Sequence, residues 1–203
     1  MGRRVRLNHN RTIAYAPLPA QLRFHKLACR FKGFSGPVGS GKSKALCYEA
    51  IRLCYVNRGR VGLLGAPTNN MLRDSTLTSL TDVLRHHEIP FRQNKADQCI
   101  ELQDTGSTVL LRSLSNSSIL RGTNLAWFGV DELSYTNEDS WQQLEARLRD
   151  PKASEYCGFG VWTPNGHNWV YHKFLRGTSE YYAVVTSKPY ENHHLLSGNA
   201  QYY

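Results

Sequence analysis

Residues 36–43 read Gly36-Pro37-Val38-Gly39-Ser40-Gly41-Lys42-Ser43, a complete G-x-x-x-x-G-K-S loop. Three glycines let the backbone curl until consecutive N–H groups point inward, as phosphate oxygens require. In such a loop the lysine, Lys42, reaches the β- and γ-phosphates, and the hydroxyl of Ser43 ligates Mg²⁺. A helix starting here adds its positive dipole end. A chance match in a chain of this composition is on the order of one per cent. The flanks fit: residues 30–35 read as a short strand. Residues 44–57 carry Leu46, Cys47, Ala50, Ile51, Cys54 and Tyr55 at helical spacing. ATP with Mg²⁺ is the ligand this loop predicts.

A phosphate loop that hydrolyses ATP needs a carboxylate on a neighbouring strand for Mg²⁺ and a group to position water. Residues 125–130, Leu-Ala-Trp-Phe-Gly-Val, form an apolar run that ends in Asp131-Glu132. Read as a buried strand, the run delivers both carboxylates to the crevice at its carboxyl end. Asp131 is expected to hold the metal, and Glu132 to orient and deprotonate the water. That second carboxylate argues for an ATP hydrolase over a small-molecule kinase.

Outward from these motifs the chain alternates apolar strand-like runs with helical stretches. Helices are expected at 21–28, 69–87, 137–148 and 169–175, strands at 60–66, 158–162 and 181–186, and a hairpin at 98–113. Residues 1–20, with Pro17 and Pro19, read as an irregular arm. The alternation predicts an α/β domain with a mostly parallel sheet covered on both faces, and 203 residues suit one such domain.

The formal net charge of +9 suits an acidic polymer as partner. Five cysteines without a C-x-x-C pair read as reduced, buried thiols of an intracellular protein. His86-His87 and His193-His194 lack metal-ligand spacing. No apolar run approaches the length of a membrane span, and the basic start lacks the apolar core of a signal peptide.

Taken in order, these pieces resemble the ATPase half of the bacteriophage terminase large subunit, over nearly all of residues 15–200. Residues 17–21, Pro-Leu-Pro-Ala-Gln, resemble the adenine-reading motif ahead of the loop, which implies that Gln21 contacts adenine. Leu120-Arg121-Gly122 shortly before the Asp131-Glu132 strand is typical of the family. Thr163-Pro164-Asn165, then Asn168-Trp169, looks like its coupling motif and implies that Thr163 and Asn165 face the γ-phosphate.

The resemblance implies a P-loop NTPase fold of the RecA/ASCE type, with an arm at 1–20, an ATPase domain at 21–190 and the start of a linker at 191–203. It implies a motor that packages double-stranded DNA in the host cytoplasm, as a homo-oligomeric ring (a pentamer) with portal, procapsid and small terminase subunit as partners. Other nucleic-acid-stimulated ATPases of helicase type, and less readily a small-molecule kinase, remain open.

Two departures stand out. Many members carry an arginine inside the loop where this chain has Val38, so another cation must complete the site. Arg121 is the expected one, acting in a neighbour's site; Arg147 and Arg149 are its rivals, though Glu145 and Arg149 could be a surface ion pair. The acidic cluster of the family's nuclease domain is missing before Tyr203, so no nuclease activity is expected, and the chain reads as an excised, truncated or split terminase.

Overall fold

The computed structural model describes residues 4–6, 12–115 and 122–192. Eight strands form one sheet in the order β10-β3-β9-β8-β4-β7-β6-β5. They are β3 (Phe31–Ser35), β4 (Val61–Ala66), β5 (Phe91–Asn94), β6 (Cys99–Leu102), β7 (Ser107–Ser113), β8 (Trp127–Val130), β9 (Cys157–Trp162) and β10 (Tyr182–Thr186). The six from β10 to β7 run parallel; β6 and β5 finish the far edge antiparallel. This is the mostly parallel α/β sheet that the alternation of apolar runs and helical stretches predicts.

The sequence within each central strand covers both faces. Successive side chains alternate, so Leu64, Trp127, Phe159 and Val161 enter one core. Leu63, Phe128, Val130 and Trp162 enter the other. Helices α1 (Pro19–His25), α2 (Lys42–Val56) and α4 (Thr78–His86) supply the first core, α5 (Glu138–Arg147) the second. Bulky aromatics fit because glycines lie opposite: a Cβ at Gly62 would strike the Trp127 ring, and one at Gly129 would stand 2.5 Å from Phe159.

Several expectations shift. The spacing within α2 predicts an apolar stripe, yet eleven of its fifteen residues are buried, Glu49 among them; it is a central helix. The helix expected at 69–87 is α3 (Asn69–Met71), a π-helical segment Leu72–Leu77, then α4. The arm holds an antiparallel pair, β1 (Arg4–Arg6) with β2 (Thr12–Ala14). Ile13 and Tyr15, alternate residues, are buried, and the Tyr15 ring stacks on Tyr48 of α2. All five cysteines are free, and four are buried. Among the described residues no helix is long and apolar enough to cross a membrane.

Candidate active site

The phosphate loop leaves β3 at the carboxyl edge of the sheet. Register pairs Ser35 with Trp162, and the Gly36 N–H donates to the Trp162 carbonyl at 3.1 Å. Gly39 and Gly41 take φ of 77° and 81°, the left-handed region that suits glycine. Gly41 stands immediately before α2, so the loop runs straight into a helix of fifteen residues. Lys42 is buried, and its Nζ donates to the carbonyls of Gly36 (3.0 Å) and Pro37 (2.8 Å). Burial lowers its pKa, opposed by the nearby charges of Glu132 and Asp131. Ser40 Oγ is buried and, among the described residues, has no hydrogen-bond partner. Buried hydroxyls are normally satisfied, so an inward-aimed orphan in a curled loop fits an acceptor such as a phosphate oxygen.

β8 lies between β9 and β4, close to β3, and its carboxyl end carries Asp131 and Glu132 to the same edge. The Asp131 N–H continues the ladder onto the Gly65 carbonyl at 2.8 Å. Its carboxylate is buried; Oδ2 accepts from Thr76 Oγ1 at 2.9 Å, and Oδ1 accepts from the Glu132 N–H at 3.1 Å. Burial pushes the Asp131 pKa up to about 6, with the neighbouring Glu132 charge adding to the rise and the Thr76 hydrogen bond opposing it. A buried carboxylate raised in this way gains from a cation beside it.

Glu132 adopts φ 47°, ψ 46°, a left-handed conformation that costs a residue with a Cβ about 1–2 kcal/mol. Leu133, fully buried, anchors the next turn against Gly160, where a Cβ would come within 2.5 Å of Leu133 Cδ2. Strain held in place by packing next to a buried carboxylate is the pattern of a functional site.

Thr163 follows β9 and therefore lies beside Gly36. It is half-buried, while Asn165 is exposed. Downstream, Asn168 Nδ2 donates to the Ser134 carbonyl at 3.3 Å and Trp169 Nε1 to that of Thr136 at 2.8 Å. The segment after β9 is thus tied to the turn that follows Glu132. Gln21 is buried against the other side of the loop: Nε2 donates to the Gly41 carbonyl and Oε1 accepts from the Leu18 N–H, both at 2.8 Å. A cavity of about 310 Å³ opens here, lined by Ala16, Leu18, Gln21, Gly41, Lys44 and Asn192.

Ser43 occupies the first turn of α2. Val38 is 77% exposed at the loop's tip. Arg121 lies outside the described residues. Of its rivals, Arg149 donates to Asn124 Oδ1 at 2.9 Å, and Glu145 is engaged by Trp141, Tyr182 and Lys173. Glu145 is thus held by Trp141 within α5 and by Tyr182 and Lys173 from outside it, and Arg149 by Asn124, in place of a Glu145/Arg149 pair. Two participants escaped the sequence reading. Asn192 Nδ2 donates to the Gly39 carbonyl. Thr76 meets Asp131; its signal was a polar residue midway between Leu72 and Leu80 on an otherwise apolar helical face.

A family model described as phage terminase large subunit matches residues 30–202. Among curated proteins, none matches the sequence. Solved structures do. The large terminase of a thermophilic bacteriophage, in complex with ADP, is 17% identical with a TM-score of 0.74, over 88% of this chain and 47% of that one. The ATPase domain of the Thermus phage P74-26 large terminase is 18% identical with a TM-score of 0.66, over 85% of this chain and 81% of that domain. The HK97 bacteriophage large terminase is 11% identical with a TM-score of 0.62. The chain spans about half the length of the first of these, 47%.

Proposed function

This chain belongs to the phage terminase large-subunit family, and on that premise we propose that it is the ATP-hydrolysing motor domain of a large terminase, driving double-stranded DNA into a procapsid. One observation carries the proposal. The loop that carries Lys42 leaves the carboxyl end of β3, and Asp131 and the strained Glu132 leave the same edge from β8, with β9 alone between the two strands.

In this reading residues 21–190 form the ATPase domain, preceded by an arm and followed by the start of a linker. ATP with Mg²⁺ supplies the γ-phosphoryl group and the cation that neutralises its charge. The loop N–H groups of residues 36–43 bind the phosphates, and the buried Ser40 hydroxyl adds a donor. Lys42 exchanges its contacts with the Gly36 and Pro37 carbonyls for phosphate oxygens. Ser43 and Asp131 would hold the metal. Glu132 orients the attacking water and takes its proton. Gln21 retains one amide hydrogen and one lone pair for adenine at the 310 Å³ cavity. Thr163 and Asn165 report the γ-phosphate to the turn after Glu132 through Asn168 and Trp169. With Val38 in the loop, Arg121 of a neighbouring copy completes the site in a homo-oligomeric ring that works on DNA with portal and small subunit.

The test is phosphate release from ATP by the purified chain. Lys42→Ala abolishes it, because the charge facing the β- and γ-phosphates is gone. Phosphate arriving on an acceptor molecule instead of free in solution makes the protein a kinase and ends the proposal. Arg121→Ala mixed with Glu132→Gln recovers activity if the arginine acts in trans. No recovery, under conditions where wild-type copies assemble, removes Arg121 from that role.

A further inference from the structure

At the same carboxyl edge of the sheet, beyond the active site, a cleft of about 540 Å³ separates the π-helical segment Leu72–Leu77 from the β5–β6 hairpin. Its floor is apolar, made by Leu72, Leu77 and Leu111. Its rim carries two cations, Arg73 and Lys95, among the side-chain amides of Asn69, Gln93, Asn94 and Gln98. We propose that this cleft seats the phosphodiester backbone of the DNA duplex. The inference rests on the motor reading above and gives the partner a place on the chain.

Arginine, lysine and amide side chains are the groups that contact phosphate and sugar without reading sequence. The rim cations can be given up to such a ligand. Among the described residues Arg73 pairs only with Asp74, in an ion pair whose side chains are 69% and 62% exposed, and exposed pairs of this kind contribute little. The acidic residue of the hairpin tip is already engaged, since Asp97 accepts from Asn94 Nδ2 at 2.6 Å. The tip is also held in place: Arg112 of β7 donates to the carbonyls of Asp97 and Gln98 at 3.2 and 3.0 Å.

A second basic cleft, at the opposite edge of the sheet, is lined by Lys26, Arg30, Lys32 and Arg52, and two of these four are tied down by carboxylates. Lys32 Nζ sits 2.7 Å from Glu49, and Arg52 bridges Glu49 and Glu155.

Position adds a reason. The segment that presents Arg73 to the cleft buries Thr76 three residues later, and Thr76 holds Asp131. A π turn is a common mark of a functional point in a helix. Whatever presses on Arg73 from outside acts on a turn bonded to the carboxylate of the ATP site.

The experiment titrates a short, mixed-sequence DNA duplex against the chain at several salt concentrations. It uses wild type, Arg73→Ala/Lys95→Ala, and the control Lys26→Ala/Lys152→Ala, which removes the same charge elsewhere. Binding of an ATP analogue verifies each fold. The cleft variant is expected to bind more weakly and to flatten the slope of log affinity against log salt by about 2, one per lost phosphate contact; the control keeps the wild-type slope. A cleft variant indistinguishable from wild type overturns the assignment while leaving the motor reading intact. Equal losses in both variants overturn it too, in favour of a diffuse positive field. Polyglutamate competing as well as unlabelled duplex hands the cleft to an acidic polypeptide. Wild type that binds no duplex even at low salt sinks the motor reading as well.

Discussion

Thr76 Oγ1 donates to Asp131 Oδ2 across 2.9 Å, with both side chains buried. The donor comes from the π-helical segment after β4, the acceptor from the end of β8, so the bond ties the orientation of the proposed metal ligand to a turn of helix that reaches the surface at Arg73. Thr76→Val keeps the shape and deletes the donor. Leaving a buried carboxylate short of a partner costs about 1–3 kcal/mol, and loss of a group that orients a metal ligand typically costs about 10–100-fold in affinity or activity. Urea unfolding and phosphate release on Thr76→Val and Thr76→Ser are the checks, with serine restoring both. A valine variant that hydrolyses ATP at the wild-type rate reduces Thr76 to packing.

Glu132 permits a test that separates chemistry from strain. Glu132→Gln removes the proposed base and keeps the Cβ, so turnover is expected to fall by about 10²–10⁴ while ATP binding persists. Glu132→Gly removes the base and also the penalty of φ 47°, and is expected to unfold at higher denaturant than Glu132→Gln by about 1 kcal/mol. Equal stabilities would mean that the backbone there is not strained. A wild-type rate in either variant would free Glu132 from catalysis.

The fold was legible in the sequence where one residue type dominates its surroundings. The apolar runs at β4, β8 and β9, the phosphate loop and its helix all appear where alternation and glycine placement put them, because burial on both faces leaves a strand no polar positions. β5 was not legible: Phe-Arg-Gln-Asn is a polar edge strand that exists by pairing with β6. Nor was the strand pair within the arm. Of the candidate site, the residues of contiguous motifs could be read. The bonds that organise them could not, because Thr76–Asp131 and Asn192–Gly39 join positions 55 and 153 residues apart. Such pairs come into being only when the sheet order is known.

Gln21 bridges the Leu18 N–H and the Gly41 carbonyl with its two amide ends, so it can act as a brace for the loop, as a reader of adenine, or as both. Gln21→Ala is expected to weaken ATP more than GTP, since the free amide hydrogen and lone pair complement adenine's N7 acceptor and N6 donor, whereas guanine presents two acceptors, N7 and O6, on that same edge. Titration with fluorescent analogues of both nucleotides measures this. Losses of the same factor for the two bases would leave Gln21 as a brace of Gly41 alone.

The last prediction concerns the charge buried beneath α2. Glu49 is fully buried and bonded to three cationic or protonatable groups: Lys32 Nζ at 2.7 Å, Arg52 Nη2 at 2.8 Å and His25 Nδ1 at 2.6 Å. Burial alone would raise its pKa; the His25 hydrogen bond and the charges of Lys32 and Arg52 outweigh it and hold the carboxyl far below the usual range. A carboxylate depressed in the folded state stabilises that state above its unfolded pKa, about 4.3. The contribution is lost as pH falls from there toward the folded value. Glu49→Gln leaves Lys32, itself buried, without its counter-charge, and breaking a buried pair from one side costs about 3–5 kcal/mol. At pH 7 the variant should therefore unfold at clearly lower urea than wild type. Below about pH 4 wild type begins to lose what the variant never had, and the gap should narrow. Urea midpoints for both proteins between pH 7 and pH 3 decide it; a gap of constant size across that range would show that the ionised carboxylate is not the source of the stability.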